Sequence, residues 1–135
     1  MGAWLRTANT SNTGVFMTEN ARIMVIDDDQ AICEFLNDAL TDEGFSVAIT
    51  YSGLAALAII DEFNPNLILL DMLMPKMDGQ QFLEISRARY PSIPIIGCSA
   101  SRSVEKRARL LGAADFLEKP FNLETLFICI NHHLQ

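Results

Sequence analysis

Asp27 and Asp28, Asp71, Ser99 and Lys119 lie far apart in a chain of 135 residues, yet each stands at the carboxyl end of a short apolar run. Brought to one place, the three carboxylates repel one another and favour reprotonation, a conflict that a divalent cation removes. Mg²⁺ suits a site with one or two direct carboxylates, a backbone carbonyl and several waters, and it bridges readily to phosphate oxygens. There Asp71 is placed to act as a carboxylate nucleophile on a phosphoryl group. The metal and the Lys119 ammonium would offset charge on the transferred oxygens, and the Ser99 hydroxyl would hydrogen-bond one of them once attached. Taken singly, each residue has a plainer reading. Acids after strands often cap helices, as Asp29 is placed to do, and an isolated Lys-Pro or Ser carries little information. The signal is the ordered set: an acidic pair, an acid, a hydroxyl, a lysine.

The elements that must position these residues follow from hydrophobic spacing. Strand-like runs "RIMVID", "FSVAIT", "NLILLD", "IPIIGCS" and "ADFLEK" alternate with amphipathic stretches five times. The first helix is predicted from Ile32, Phe35, Leu36, Ala39 and Leu40, with Asp29 as N-cap and Gly44 as stop. Leu54, Leu57 and Ala58 behind Ser52 predict the second, and Phe82 and Ile85 behind Asp78 the third. Val104, Ala108 and Leu111 behind Ser101 predict the fourth, and Leu123, Leu126, Phe127, Ile130 and Leu134 behind Asn122 the fifth. Five such units with short connections make an α/β fold, an open parallel sheet with right-handed crossovers and helices on both faces. Ligands of such sheets bind outside the carboxyl ends of the strands, where the reactive residues fall.

Half of the residues are hydrophobic, a fifth are charged and the net charge is -7, a composition that argues against a broad nucleic-acid surface. Cys33, Cys98 and Cys129 are odd in number and set within apolar runs, so they are expected as buried thiols with neither a disulfide nor a metal role, in a cytoplasmic protein. No apolar run approaches the roughly 18 to 20 residues of a membrane span. Residues 1–20 are polar, aperiodic and lack a signal-peptide pattern, and are expected to form a flexible arm, with Met17 a candidate start. His132 and His133 close the fifth helix, where they suit the negative end of its dipole; no metal role is expected of them. The basic stretch "SRSVEKRARLLG" is expected as a solvated face.

With "IMVIDDDQ", "LILLDMLMPKMDG", "PIIGCSA" and "ADFLEKPF", residues 21–135 resemble the receiver domains of two-component response regulators. The resemblance implies a flavodoxin-like (βα)5 fold with strand order 2-1-3-4-5. It implies Asp71 as phosphoacceptor and Mg²⁺ held by Asp28, Asp71 and the backbone carbonyl of Leu73, with Asp27 acting through water. It further implies Ser99 and Phe116 as switch residues, Lys119 as the conserved-type lysine, and a cis Lys119-Pro120 bond. The partners implied are a sensor histidine kinase or phosphotransfer protein, and a downstream protein or output domain contacted through the fourth helix, fifth strand and fifth helix. The same surface is one through which a phosphorylation-dependent dimer would form. Such a protein promotes its own phosphotransfer and dephosphorylation but is not otherwise an enzyme. Leu73 and Ser101 offer no acid or amide to orient a water, so slow to moderate self-dephosphorylation is expected.

Three other readings compete. A haloacid-dehalogenase-like phosphatase also uses an aspartyl phosphate, and Asp27 with Asp29 forms Asp-x-Asp, but its nucleophile sits on strand one and Asp71 would have no role. A nucleotide-binding domain would need a Gly-rich loop where acids stand. The third reading is a receiver portion of a larger DNA-binding regulator or hybrid kinase; the ending at Gln135 favours a single-domain regulator.

Overall fold

The computed structural model describes residues 20–74 and 78–134. The arm expected over residues 1–20 lies outside the described residues except for Asn20, whose N–H donates to the Gly44 carbonyl at 3.1 Å. Five strands, β1 (Arg22–Ile26), β2 (Ser46–Thr50), β3 (Leu67–Asp71), β4 (Ile95–Ser99) and β5 (Asp115–Glu118), form one sheet in the order β2-β1-β3-β4-β5. Every pairing is parallel. The intervening helices are α1 (Gln30–Asp42), α2 (Gly53–Phe63), α3 (Gly79–Arg89), α4 (Glu105–Leu110) and α5 (Leu123–Leu134).

Alternation along the strands feeds two separate cores. Ile23, Val25, Leu67, Leu69, Ile96 and Leu117 pack with α1 and α5 through Cys33, Leu36, Leu40, Leu126 and Ile130. Their neighbours Met24, Ile26, Ile68, Leu70, Ile95 and Phe116 pack with α2, α3 and α4 through Ala56, Ile60, Phe82, Leu83 and Ala108. Because β3 and β4 are buried along their whole length, they show continuous apolar sequence rather than alternation.

Four of the five expected caps are present; Ser101, ahead of the fourth helix, makes no side-chain cap bond because a 3₁₀ turn follows it. Asp29 Oδ1 accepts from Ala31 and Ile32 N–H, Ser52 Oγ from Ala55 N–H and Asn122 Oδ1 from Thr125 N–H. Asp78 and Gln81 form a reciprocal capping box at α3. Gly44 ends the first unit at φ 98°, a conformation that glycine adopts without a Cβ penalty.

Helix faces and ends differ from the sequence expectation in four places. Phe35 is 55% exposed, and Cys33 takes the interior position with Leu36 and Leu40. Leu54 is 58% exposed and Ala58 also faces solvent, while Gly53, Ala56 and Ile60 are buried. Residues 54–60 are apolar throughout, so period alone cannot choose the buried face. The fourth helix opens as a 3₁₀ turn, Arg102–Val104, and only Ala108 of α4 is buried. β5 ends at Glu118, one residue before Lys119.

Candidate functional site

The carboxyl ends of β1, β3, β4 and β5 converge, and backbone bonds continue the ladder past the strands to fix the residues there. Asp27 N–H donates to Thr50 O at 3.1 Å, Met72 N–H to Cys98 O at 2.9 Å and Lys119 N–H to Ser99 O at 2.8 Å. Carboxylate oxygens of Asp27, Asp28 and Asp71 lie within 4.8 Å of one another. Asp27 and Asp71 are buried, whereas Asp28 faces solvent. The Lys119 ammonium donates to Asp27 Oδ2 at 2.7 Å and stands 3.8 Å from Asp71 Oδ1. The Lys119-Pro120 peptide bond is cis, as the resemblance implied.

Local bonds orient the acids. Asp71 Oδ1 accepts from Leu73 N–H at 3.2 Å, and Asp27 Oδ1 accepts from Asp29 N–H at 3.0 Å. The buried Ser99 hydroxyl accepts from Ser101 N–H at 3.0 Å, on the strand beside Asp71. Phe116 is buried in the core on the α2, α3 and α4 side. Leu73 lies in the exposed turn after β3. Thus the sheet brings Asp27, Asp28, Asp71, Ser99 and Lys119 to one edge, while Phe116 sits inside the fold on β5.

Burial, above all, pushes the Asp71 carboxyl up to about 6; the nearby Lys119 charge opposes this, and the charges of Asp27 and Asp28 add to it. For Lys119 burial acts downward, but its bond to Asp27 and the charges of Asp27 and Asp71 outweigh it and raise the ammonium pKa. The pocket therefore holds more negative than positive charge, with oxygen donors alone. That donor set fits a hard divalent cation such as Mg²⁺.

Gly79, the last residue of the stretch "LILLDMLMPKMDG", has a specific part here. A Cβ at this position would lie 2.4 Å from Met72 Cα and 2.6 Å from the Asp71 carbonyl oxygen. The first residue of α3 is thus pressed against the backbone that carries Asp71. The spacing Asp71 to Gly79 held the signal, but the close approach is visible only in three dimensions.

Residues 23–131 match the family described as "Response regulator receiver domain". The chain belongs to this family. Among curated relatives, Response regulator MprA of Mycobacterium bovis BCG is 38% identical over 109 residues, 79% of this chain and 47% of its own length. MprA of Mycobacterium avium is 39% identical over 107 residues, 78% of this chain and 47% of its own. The receiver therefore spans about half the length of the curated relatives it matches. Among solved structures, the receiver domain of Francisella response regulator 1452 superposes with a TM-score of 0.79 at 31% identity, covering 85% of this chain and 97% of that one. The Vibrio cholerae chemotaxis protein CheY4 gives 0.78 at 29%, covering 83% and 97%. Strand order, helix number and fold of this receiver are those that the resemblance implied.

Proposed function

We propose that Asp71 is the phosphoacceptor of this receiver, taking a phosphoryl group from a phosphohistidine on a sensor kinase or phosphotransfer protein. One observation carries the reading: a buried carboxylate at the end of a central strand lies 3.8 Å from the Lys119 ammonium and within 4.8 Å of two further acids. An Asp71 oxygen forms a bond to phosphorus as the phosphorus–nitrogen bond of the donor breaks, and the donor imidazole leaves. Asp28, Asp71 and the Leu73 carbonyl would hold Mg²⁺, with Asp27 reaching it through water. When bound, Mg²⁺ neutralises the acids and the charge on the transferred oxygens. Lys119 offsets the charge from the other side, held there by Asp27. Ser99 turns its hydroxyl from the Ser101 amide to a phosphoryl oxygen, and Phe116 follows, so that the population shifts toward an active α4-β5-α5 surface.

An open apolar pocket of about 330 Å³ lies beside the site, lined by Ile32, Phe35, Leu36, Ala100, Lys119, Pro120 and Phe121. It supports docking of the phosphodonor protein there, since the donor histidine must come within bonding distance of Asp71. Leu110 of α4 and Ile128 of α5 are 72% and 64% exposed, apolar side chains suited to an output partner or a second phosphorylated copy. No helix among the described residues is long and apolar enough to cross a membrane. The signalling role supports a cytoplasmic site of action and no catalytic turnover beyond the receiver's own phosphotransfer and dephosphorylation. The share of the mycobacterial regulators that is covered supports a second reading, a receiver that works within a longer regulator carrying its own output domain.

Intact mass after incubation with acetyl phosphate and Mg²⁺, run beside Asp71→Asn, tests the proposal. One phosphoryl adduct that needs Mg²⁺ and is absent from the variant is expected. An adduct that persists in Asp71→Asn, or steady turnover of a small phosphate ester, refutes it.

A further inference from the structure

A second gathering of ligand-type side chains lies at the opposite end of β5 from Lys119. Asp115 opens the strand and meets Cys129 and His133 of α5, which stand at i and i+4 on one helix face. Cys129 Sγ–H donates to Asp115 Oδ2 at 3.4 Å, and His133 Nε2 lies 2.9 Å from the same oxygen. One ligand atom from each of the three residues falls within 4.8 Å of the other two. The remaining oxygen, Oδ1, is occupied by Arg109 Nη2 at 3.1 Å and by Phe116 N–H at 2.9 Å. The carboxylate is therefore held from behind and presents Oδ2, the way outer hydrogen bonds orient a metal ligand.

The donors here are one sulfur, one imidazole nitrogen and one carboxylate oxygen. That mixture suits a borderline-soft ion such as Zn²⁺ and is poor for Mg²⁺, the reverse of the all-oxygen pocket around Asp71. Tetrahedral coordination at ordinary zinc–ligand lengths sets donor atoms about 3.3 to 3.6 Å apart. The separations of 2.9 and 3.4 Å from Oδ2 lie within a few tenths of an ångström of that range. Cys129 is buried, while Asp115 and His133 are half-buried, so the cluster has an inner wall and an outer mouth.

We propose that Asp115 Oδ2, Cys129 Sγ and His133 Nε2 form a three-ligand Zn²⁺ site whose fourth position opens to solvent. On binding, the Cys129 thiol gives its proton to the buffer, while His133 binds as neutral imidazole and Asp115 as carboxylate, so one proton leaves per ion. The ion would clip the last turns of α5 to the edge strand and, through Arg109, to α4. The inference is independent of the phosphoacceptor reading.

A purely hydrogen-bonded tether needs no sulfur, and this separates the two cases. With excess Mg²⁺ present to fill the acidic pocket around Asp71, Co²⁺ titrated into the full 135-residue chain is expected to give a thiolate-to-cobalt charge-transfer band that saturates at one equivalent and is removed by one equivalent of Zn²⁺. Asp71→Asn and His132→Ala should keep the band. Cys129→Ser should lose it while preserving a hydroxyl donor toward Asp115, and Zn²⁺ should raise the melting temperature of the parent but not of this variant. Should Cys129→Ser fail to fold, His133→Gln decides, with Co²⁺ affinity expected to fall roughly 100-fold or more. The site is refuted if no charge-transfer band forms, if the band survives in Cys129→Ser, or if His133→Gln binds Co²⁺ as tightly as the parent.

Discussion

Asp71 carries a conflict that its pH dependence should report. Its folded-state pKa, about 6, lies above the ordinary 3.8, so the native state holds the proton more tightly between those values. Stability therefore falls as pH rises through that window and does not recover above it. Asp71→Asn removes the charge and should gain about 1 to 3 kcal/mol near pH 7 without Mg²⁺, read as a shift in the denaturant midpoint. A carboxyl-carbon NMR titration should place the metal-free midpoint near 6 and move it well down once Mg²⁺ is added. If the midpoint stays where it was at saturating Mg²⁺, the metal does not sit on Asp71. Five residues of this pocket were legible in sequence because each ends a run whose strand character is plain. The partners of Asp115 were not, since Cys129 and His133 carry helical spacing but nothing in the chain points back across fourteen residues to a strand.

Where α3 begins against the end of β3, the backbone leaves no room for a side chain. Gly79→Ala would drive a Cβ into the backbone of Asp71 and Met72, with no flexible side chain to give way. We expect a loss of about 2 to 4 kcal/mol and a fall in phosphoryl acceptance larger than any stability loss explains. Normal acceptance in a folded Gly79→Ala protein would show that the strand end tolerates displacement. At α5, Asn122→Ala should cost about 1 kcal/mol through the lost bond to Thr125 N–H, with acceptance unchanged. Caps were readable because Asp29, Asp78 and Asn122 each precede a periodic run and Ser52 an apolar one, whereas Ser101 precedes a 3₁₀ turn and makes no cap bond. The buried face of α2 was not, because an unbroken apolar run has no polar side to mark its outside. Cys33 displaced Phe35 for a related reason: small and large apolar residues carry the same period, and only the space beneath α1 distinguishes them.

In the proposed scheme the signal enters beside Asp71 and leaves through α4 and α5. Phe35 borders the pocket beside Asp71, whereas Leu110 and Ile128 are exposed on α4 and α5. Phe35→Asp should slow transfer from the kinase while leaving phosphorylation by acetyl phosphate unchanged; equal slowing of both would place its effect inside the site. Leu110→Glu with Ile128→Glu should abolish any phosphorylation-dependent dimer seen by sedimentation and leave the adduct intact. In the basic stretch Arg102 and Arg109 are engaged by Glu105, Glu118 and Asp115, whereas Lys106 and Arg107 are exposed on α4. Lys119 and Asp27, joined at 2.7 Å, are 92 residues apart in the chain. A growing polypeptide therefore has Asp27, and Asp71 after it, before it has the lysine that completes the pocket. Until β5 is made and pairs with β4, the pocket around Asp71 lacks its ammonium group, so the complete pocket exists only in a chain that has closed its sheet.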